Sequence, residues 1–214
     1  GLYSATDTEA YAAFDIEYAY DIQEVFDAWA EGTAPLSHYL DLLDFQENAY
    51  PRGFNKLRYL ENHDLPRIAS RLGRGLDLAN LTAFIYLLKG ATLIYAGQEA
   101  ASDRTVSLFD RDTIGWNTGT DLSPLMARLA QIKHEVLGCD DFFRARAYDE
   151  DDVAVLEREG DWGRAIGVFS LCGKPAEVAV DVSDGSYVNL LDDLPVEVRN
   201  GKLAGSGAPI VFLT

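Results

Sequence analysis

The sequence has no long apolar run. Its longest candidate, "LTAFIYLLKGATLIYAG", is broken by Lys89 and Gly90, short of the ~18 residues a membrane span needs, so no spanning helix is expected. Cysteine is scarce as well: Cys139 and Cys172 stand alone and far apart, too few for a zinc knuckle or a disulfide framework. They read as ordinary thiols, with nothing to favour a bond between them. Basic residues are outnumbered, 18 Lys and Arg against 35 Asp and Glu, for a formal charge of -17. That surplus opposes the phosphate neutralisation of nucleic-acid binding and repels anionic membranes, so neither is expected as a partner. Neutral or cationic partners suit it, although an acidic surface also simply keeps a protein soluble. No repeat of fixed period and no low-complexity tract occurs. Residue 1 is Gly, without an initiator Met or a signal-like start; the chain reads as the interior of a longer one, and its localisation stays unassigned.

What is present describes a folded protein: 48% hydrophobic, 11% aromatic and 25% charged residues match a soluble globular composition. The first two thirds alternate strand-like and helix-like segments. "AFDIEYAYD" puts Phe14, Ile16, Tyr18 and Tyr20 on one side at period two, and helical spacing follows through Phe26, Trp29, Tyr39, Leu40 and Leu43. "KLRYLE" is a second strand. "LDLANLTAFIYLLKG" is a helix apolar on nearly every face, with Asp77 as cap and Gly90 as stop. "ATLIYAG" is a third strand, and "LSPLMARLAQIKHEVLG" a last helix starting at Ser123. Strand and helix in alternation predict parallel strands with crossover helices. From about residue 140 the pattern changes to short alternating segments with turns, Asn200-Gly201 and Asp184-Gly185 being hairpin signals. The expected fold is α/β followed by all-β: residues 1–139 as the α/β part and 140–214 as an antiparallel β-sandwich.

On this layout the polar clusters fall at strand ends. Asp21 follows the first strand, Asn62, His63 and Asp64 the second, and Gln98 and Glu99 the third. In α/β barrels the carboxyl ends of the strands are where chemistry is built; a single polar residue there merely marks a strand end, but three consecutive ends weaken that reading.

The string "YLENHDLPRI" resembles the motif after the seventh barrel strand in the α-amylase family, glycoside hydrolase family 13. About 30 residues on, "GATLIYAGQE" looks like the family's eighth-strand signature, and "SLFDRDTIGW" resembles the segment that often follows it. The resemblance implies the last three βα units of a (β/α)8 TIM barrel followed by the family's C-terminal β domain. It implies roles too. Asp64 would be the third carboxylate of the catalytic trio, binding sugar hydroxyls and favouring the oxocarbenium-like transition state. His63 and Arg67 would bind the same sugar, with Asn62 beside them, while Asp21, Tyr95, Gln98 and Glu99 would form a supporting shell. Chemistry agrees for Asp64: retaining glycosidases gain several kcal/mol from groups that hold the 2-hydroxyl harder in the transition state, and charge-assisted hydrogen bonds are about twice as strong as neutral ones.

The sequence departs from the family pattern in one respect. Neither the nucleophilic Asp motif nor the acid Glu motif, which the family carries after its fourth and fifth strands, occurs in these residues. The chain is therefore expected to bind α-glucan or oligosaccharide without cleaving it alone, to need the preceding part of the same polypeptide, and to self-associate through open sheet edges or hide that surface by rearranging. No metal is assigned, because the family's calcium site is built largely by parts upstream of residue 1. Substrate choice among starch, malto- and isomalto-oligosaccharides and sucrose stays open. Two other readings compete. A metal-dependent HD-type phosphohydrolase would need His38 and His134 beside His63 and Asp64. A non-catalytic carbohydrate-binding or structural module would stack sugars on Trp29, Trp116 or Trp162.

Overall fold

The computed structural model describes residues 10–51 and 53–214; Arg52 and the expectations that touch residues 1–9 lie outside them. A 3-10 turn, Ala10–Ala12, precedes the two-residue strand β1, Glu17–Tyr18. A second 3-10 turn, Ala19–Ile22, runs into helix α1, Gln23–Ala30, and after Gly32 and Pro35 comes α2, Leu36–Ala49. Strand β2 is Lys56–Arg58, followed by the short α3, Ile68–Leu72, and α4, Leu76–Leu87. Strand β3, Ala91–Thr92, and helix α5, Ser123–Glu135, complete this part. The strands form a parallel sheet in the order β1-β2-β3, with Glu17 opposite Lys56, Tyr18 opposite Leu57, and Arg58 opposite Thr92.

These strands are shorter than their sequence patterns. Of the period-two set, Phe14 and Ile16 are exposed and Tyr20 sits in the 3-10 turn, because the backbone pairs only at Glu17 and Tyr18. The third strand likewise stops after Thr92, with one further bond from Leu93 N–H to Arg58 O. The helical stretch after β1 is two helices, since Gly32 takes φ 71° and Pro35 flanks the second start. Asp77 lies inside the first turn of α4, and Gly75 takes the cap position without a side-chain bond. Gly90, at φ 104°, has a stricter role: a Cβ there would stand 2.1 Å from Lys56 O, so only glycine lets the entry to β3 pass that close to β2.

The remaining strands are β4, Phe142–Tyr148, β5, Val153–Gly160, β6, Gly163–Ser170, β7, Ala176–Ala179, β8, Gly185–Val188, β9, Pro195–Arg199, β10, Lys202–Gly205, and β11, Ile210–Leu213. They make two antiparallel sheets, β11-β6-β5-β4 and β7-β10-β9-β8. Val153, Val155, Ile166 and Val168 from one meet Val178, Val196, Val198 and Leu203 from the other. Asn200 and Gly201, both at positive φ, form the β9-β10 turn as the sequence suggests. Asp184-Gly185 does not make a hairpin: its carboxylate instead accepts the Asn200 and Gly201 N–H groups, bracing that neighbouring turn.

Strands β5 and β6 are buried on both faces, not on alternate residues, because the first sheet has a second neighbour. Its other face, through Ala154, Leu156 and Phe169, shares one apolar cluster with Leu40, Leu43, Phe84 and Leu87 of the helices. From Asn80 to Leu87 helix α4 is buried at every position, which is what a helix apolar all round requires. Its C-terminal carbonyls, which no helical N–H can reach, are taken up by three cations. Lys133 donates to Tyr86 O and Leu88 O, Arg158 to Leu87 O, and Arg58 to Lys89 O.

Burial, with Arg158 and Arg58 nearby, pushes the Lys133 ammonium down to about 7, although its bonds to helix-terminal carbonyls favour the charged form. A depressed folded value means that the unfolded chain binds more protons between about 7 and the ordinary lysine range. We expect stability to rise with pH from about 7 to about 9, below the tyrosine range, and Lys133→Met to flatten that rise. Urea unfolding at several pH values in this window measures it; equal slopes for both proteins would refute it.

Candidate active site

The loop between β2 and α3 makes a tight corner. Asn62 is buried, and its Oδ1 accepts the Asp64 N–H at 2.8 Å, an Asx turn that fixes the backbone. Asn62 Nδ2 donates to the Tyr20 hydroxyl at 2.9 Å, and that hydroxyl donates to Asp64 Oδ2 at 3.2 Å. Burial pushes the Tyr20 hydroxyl up; the Asn62 amide opposes this and Asp64 adds to it, so Tyr20 stays a donor. Asp64 Oδ1 lies 3.5 Å from His63 Nε2, and both side chains are about half exposed, at 55% and 54%. The corner therefore presents a carboxylate held on one oxygen and open on the other, beside an imidazole. Such a pair can accept and donate hydrogen bonds to adjacent hydroxyls.

Beneath it lies a second, buried layer. Glu61 Oε1 accepts Arg67 Nη1 at 2.7 Å and its Oε2 accepts the Ile68 N–H at 2.6 Å. Arg67 Nη2 donates to Ala96 O at 2.9 Å, and its guanidinium lies 4.2 Å from the centre of the Tyr95 ring. Burial raises the Glu61 carboxyl, opposed by Arg67 and the Ile68 N–H. At the exit of β3, Gln98 is buried with its Oε1 near the Tyr95 N–H, and Glu99 Oε2 accepts the Gly97 N–H.

A family model for the alpha amylase catalytic domain matches residues 3–157. The chain belongs to the α-amylase family. A second model, the bacterial alpha amylase C-terminal domain, matches residues 144–212. An α-amylase from Lactobacillus plantarum superposes with a TM-score of 0.88 at 34% identity, over 96% of this chain and 49% of its own. A noncanonic maltogenic α-amylase from Thermotoga neapolitana gives 0.83 at 26%, over 98% and 53%. Alpha-amylase 1 of Schwanniomyces occidentalis is 25% identical over 159 residues, 71% of this chain and 31% of that protein. The chain spans about half the length of these solved relatives and under a third of the curated one. The parallel sheet with its helices is the partial barrel of this α-amylase fold, and the two antiparallel sheets are its C-terminal β domain.

Around this corner the expected residues divide. Asn62, His63 and Asp64 stand together, and Tyr95, Gln98 and Glu99 line the neighbouring strand end. Asp21 does not join them. Its side chain is fully buried with Lys56 at 3.1 Å, Gln46 at 2.6 Å and Tyr50 at 2.5 Å, because the 3-10 turn after β1 carries it toward the Lys56 ammonium. Arg67 cannot contact a sugar from its place either, as it is 0% exposed and bonded to Glu61 and Ala96. Asn62 is turned inward, with its amide spent on Tyr20 and Asp64.

Two residues escaped the sequence reading. Period two puts Tyr20 on a strand face, and only the turn at Ala19–Ile22 aims it at Asp64. Glu61 stands out in the string with Asn62, His63 and Asp64, but its pairing with Arg67 is not marked there. Among the described residues no group of three or more His, Cys, Asp and Glu could hold a metal ion, so the phosphohydrolase reading finds no site there. Trp29 and Trp162 donate to Asp152 and Asp141, and Trp116 is exposed. Cys139 and Cys172 are free thiols.

Asn62→Ala removes the acceptor of the Asp64 N–H and one of the two bonds at the Tyr20 hydroxyl, and should cost about 1–3 kcal/mol. The exposed His63→Ala should stay within about 0.5 kcal/mol of the parent. Urea unfolding of both variants tests this, and equal losses would show that Asn62 does not brace the corner.

Proposed function

We propose that the protein containing this chain is a retaining glycoside hydrolase of α-glucosidic bonds, in which Asp64 stabilises the transition state. The observation that carries the reading is the Asp64 carboxylate at a parallel strand end, held on Oδ2 by Tyr20 and open on Oδ1 beside His63. An ionised carboxylate fixed in advance binds sugar hydroxyls more tightly as positive charge develops on the ring, and binding that strengthens only then accelerates the bond-breaking step. His63 donates to the same sugar. The nucleophile and the general acid, about 5 Å apart in retaining enzymes, would come from the preceding part of the polypeptide.

Starch-like glucans and malto-oligosaccharides are the favoured substrates, because relatives similar to this chain are named α-amylases and one is named maltogenic. Isomalto-oligosaccharides and sucrose have no such support. The 214 residues would bind glucan without cleaving it, and would self-associate through the outer edges of β1 and β3. No metal is assigned to these residues.

The test is Asp64→Asn in the protein expressed from its full reading frame. We expect kcat on a chromogenic malto-oligosaccharide to fall by about 100- to 1000-fold, with glucan binding retained; unchanged turnover would remove the assignment. The purified 214-residue chain should release no chromophore at any pH, and measurable release would place the missing carboxylates inside it.

A further inference from the structure

The Glu61–Arg67 pair has no contact with solvent, yet it lies directly under the corner that presents Asp64. One carboxylate closes the loop: Glu61 opens it, and its two oxygens hold Arg67 and the Ile68 N–H at the far end, at 2.7 and 2.6 Å. Asp64 sits at the apex between them. The second arm of the guanidinium reaches across to Ala96 O at 2.9 Å, and its face rests on Tyr95. Gly97 completes the clamp, since a Cβ there would meet Ile114 Cγ2 at 2.5 Å and Arg67 Nη1 at 3.6 Å. The exits of β2 and β3 are thus joined by a planar group with fixed bond directions.

A buried ion pair is a weak source of stability, because desolvation offsets most of its attraction. Its strength lies in geometry: the guanidinium fork sets two directions at once, which an ammonium cannot. We infer that Arg67 and Glu61 are positioning residues for glycoside cleavage, acting on turnover through the placement of Asp64 and touching no sugar. The inference rests on the role proposed for Asp64. It also replaces the sugar-binding role that the sequence suggested for Arg67.

The experiment uses the protein from its full reading frame and compares the parent with Arg67→Lys, Tyr95→Leu and Asp64→Asn, measuring kcat, KM and thermal unfolding on one chromogenic malto-oligosaccharide. Displacing a reacting group by about 1 Å costs as much as 100-fold. Arg67→Lys should accordingly lower kcat about 10- to 100-fold, with KM within about twofold and a cooperative unfolding transition retained. Tyr95→Leu keeps the ion pair and removes its platform, and should lower kcat about threefold at unchanged KM. A KM rise beyond about twofold would put Arg67 on the sugar and overturn the inference, as would an unchanged kcat. If Arg67→Lys fails to fold, Tyr95→Leu decides: full kcat refutes positioning, and a selective kcat loss supports it. Full turnover in Asp64→Asn would instead sink the functional reading, and the inference with it. Lost turnover there with normal Arg67→Lys kinetics sinks the inference alone.

Discussion

The C-terminal end of α4 is the joint on which the layers of this molecule meet. Four consecutive carbonyls, from Tyr86 to Lys89, accept bonds from Arg58 of the parallel sheet, Lys133 of the last helix and Arg158 of the antiparallel sheet. A helix terminus buried in an apolar layer would leave these carbonyls unpaired, at about 1–3 kcal/mol each. Cations suit the place because the helix end carries partial negative charge. The arrangement explains how a chain so rich in acid spends several of its few basic residues in the interior. It also ties each layer to the others by direction as well as by apolar contact, since each cation arrives from a different element.

The same logic of buried charge recurs at the sheet. Lys56 lies between Glu17 at 2.7 Å and Asp21 at 3.1 Å, with the Tyr50 ring 4.7 Å away. Together with Glu61 and Arg67 it makes the short parallel sheet polar inside at both ends. Such pairs contribute less to stability than apolar packing of the same volume, but they impose one register on strands of only two or three residues. Strands this short carry few ladder hydrogen bonds, so side-chain bonds must supply the order that longer strands obtain from the backbone.

How far this could be read from sequence depended on whether the signal was local. The helices α4 and α5 and the Asn200-Gly201 turn are written in residue type and period, and the structure has all of them. The Asn62, His63 and Asp64 corner was legible because its chemistry is contiguous. Partners distant in sequence were hidden. Asp21 looked like a strand-end acid, and nothing local marks that Lys56 draws it inside. Arg67 looked available for substrate until Glu61 and Ala96 claimed it. Strands β5 and β6 seemed half exposed because a period-two pattern does not say how many layers a sheet lies between.

Exposure at the corner bears on how such a site works. Electrostatic stabilisation is strongest where water is excluded; within these 214 residues the Asp64 side chain is 55% exposed and His63 54%, before the groups proposed to come from the rest of the polypeptide are in place. Tyr20 and Asn62 fix the carboxylate, so ordering it costs little in the role proposed for it. On the proposed reading a sugar ring covering Oδ1 and the imidazole converts a solvated carboxylate into a desolvated one facing developing positive charge. Preorganisation by the protein and drying by the substrate are then separate contributions. Only the first is written into the bonds around Asp64, and on the proposed reading the buried residues beneath the corner serve it.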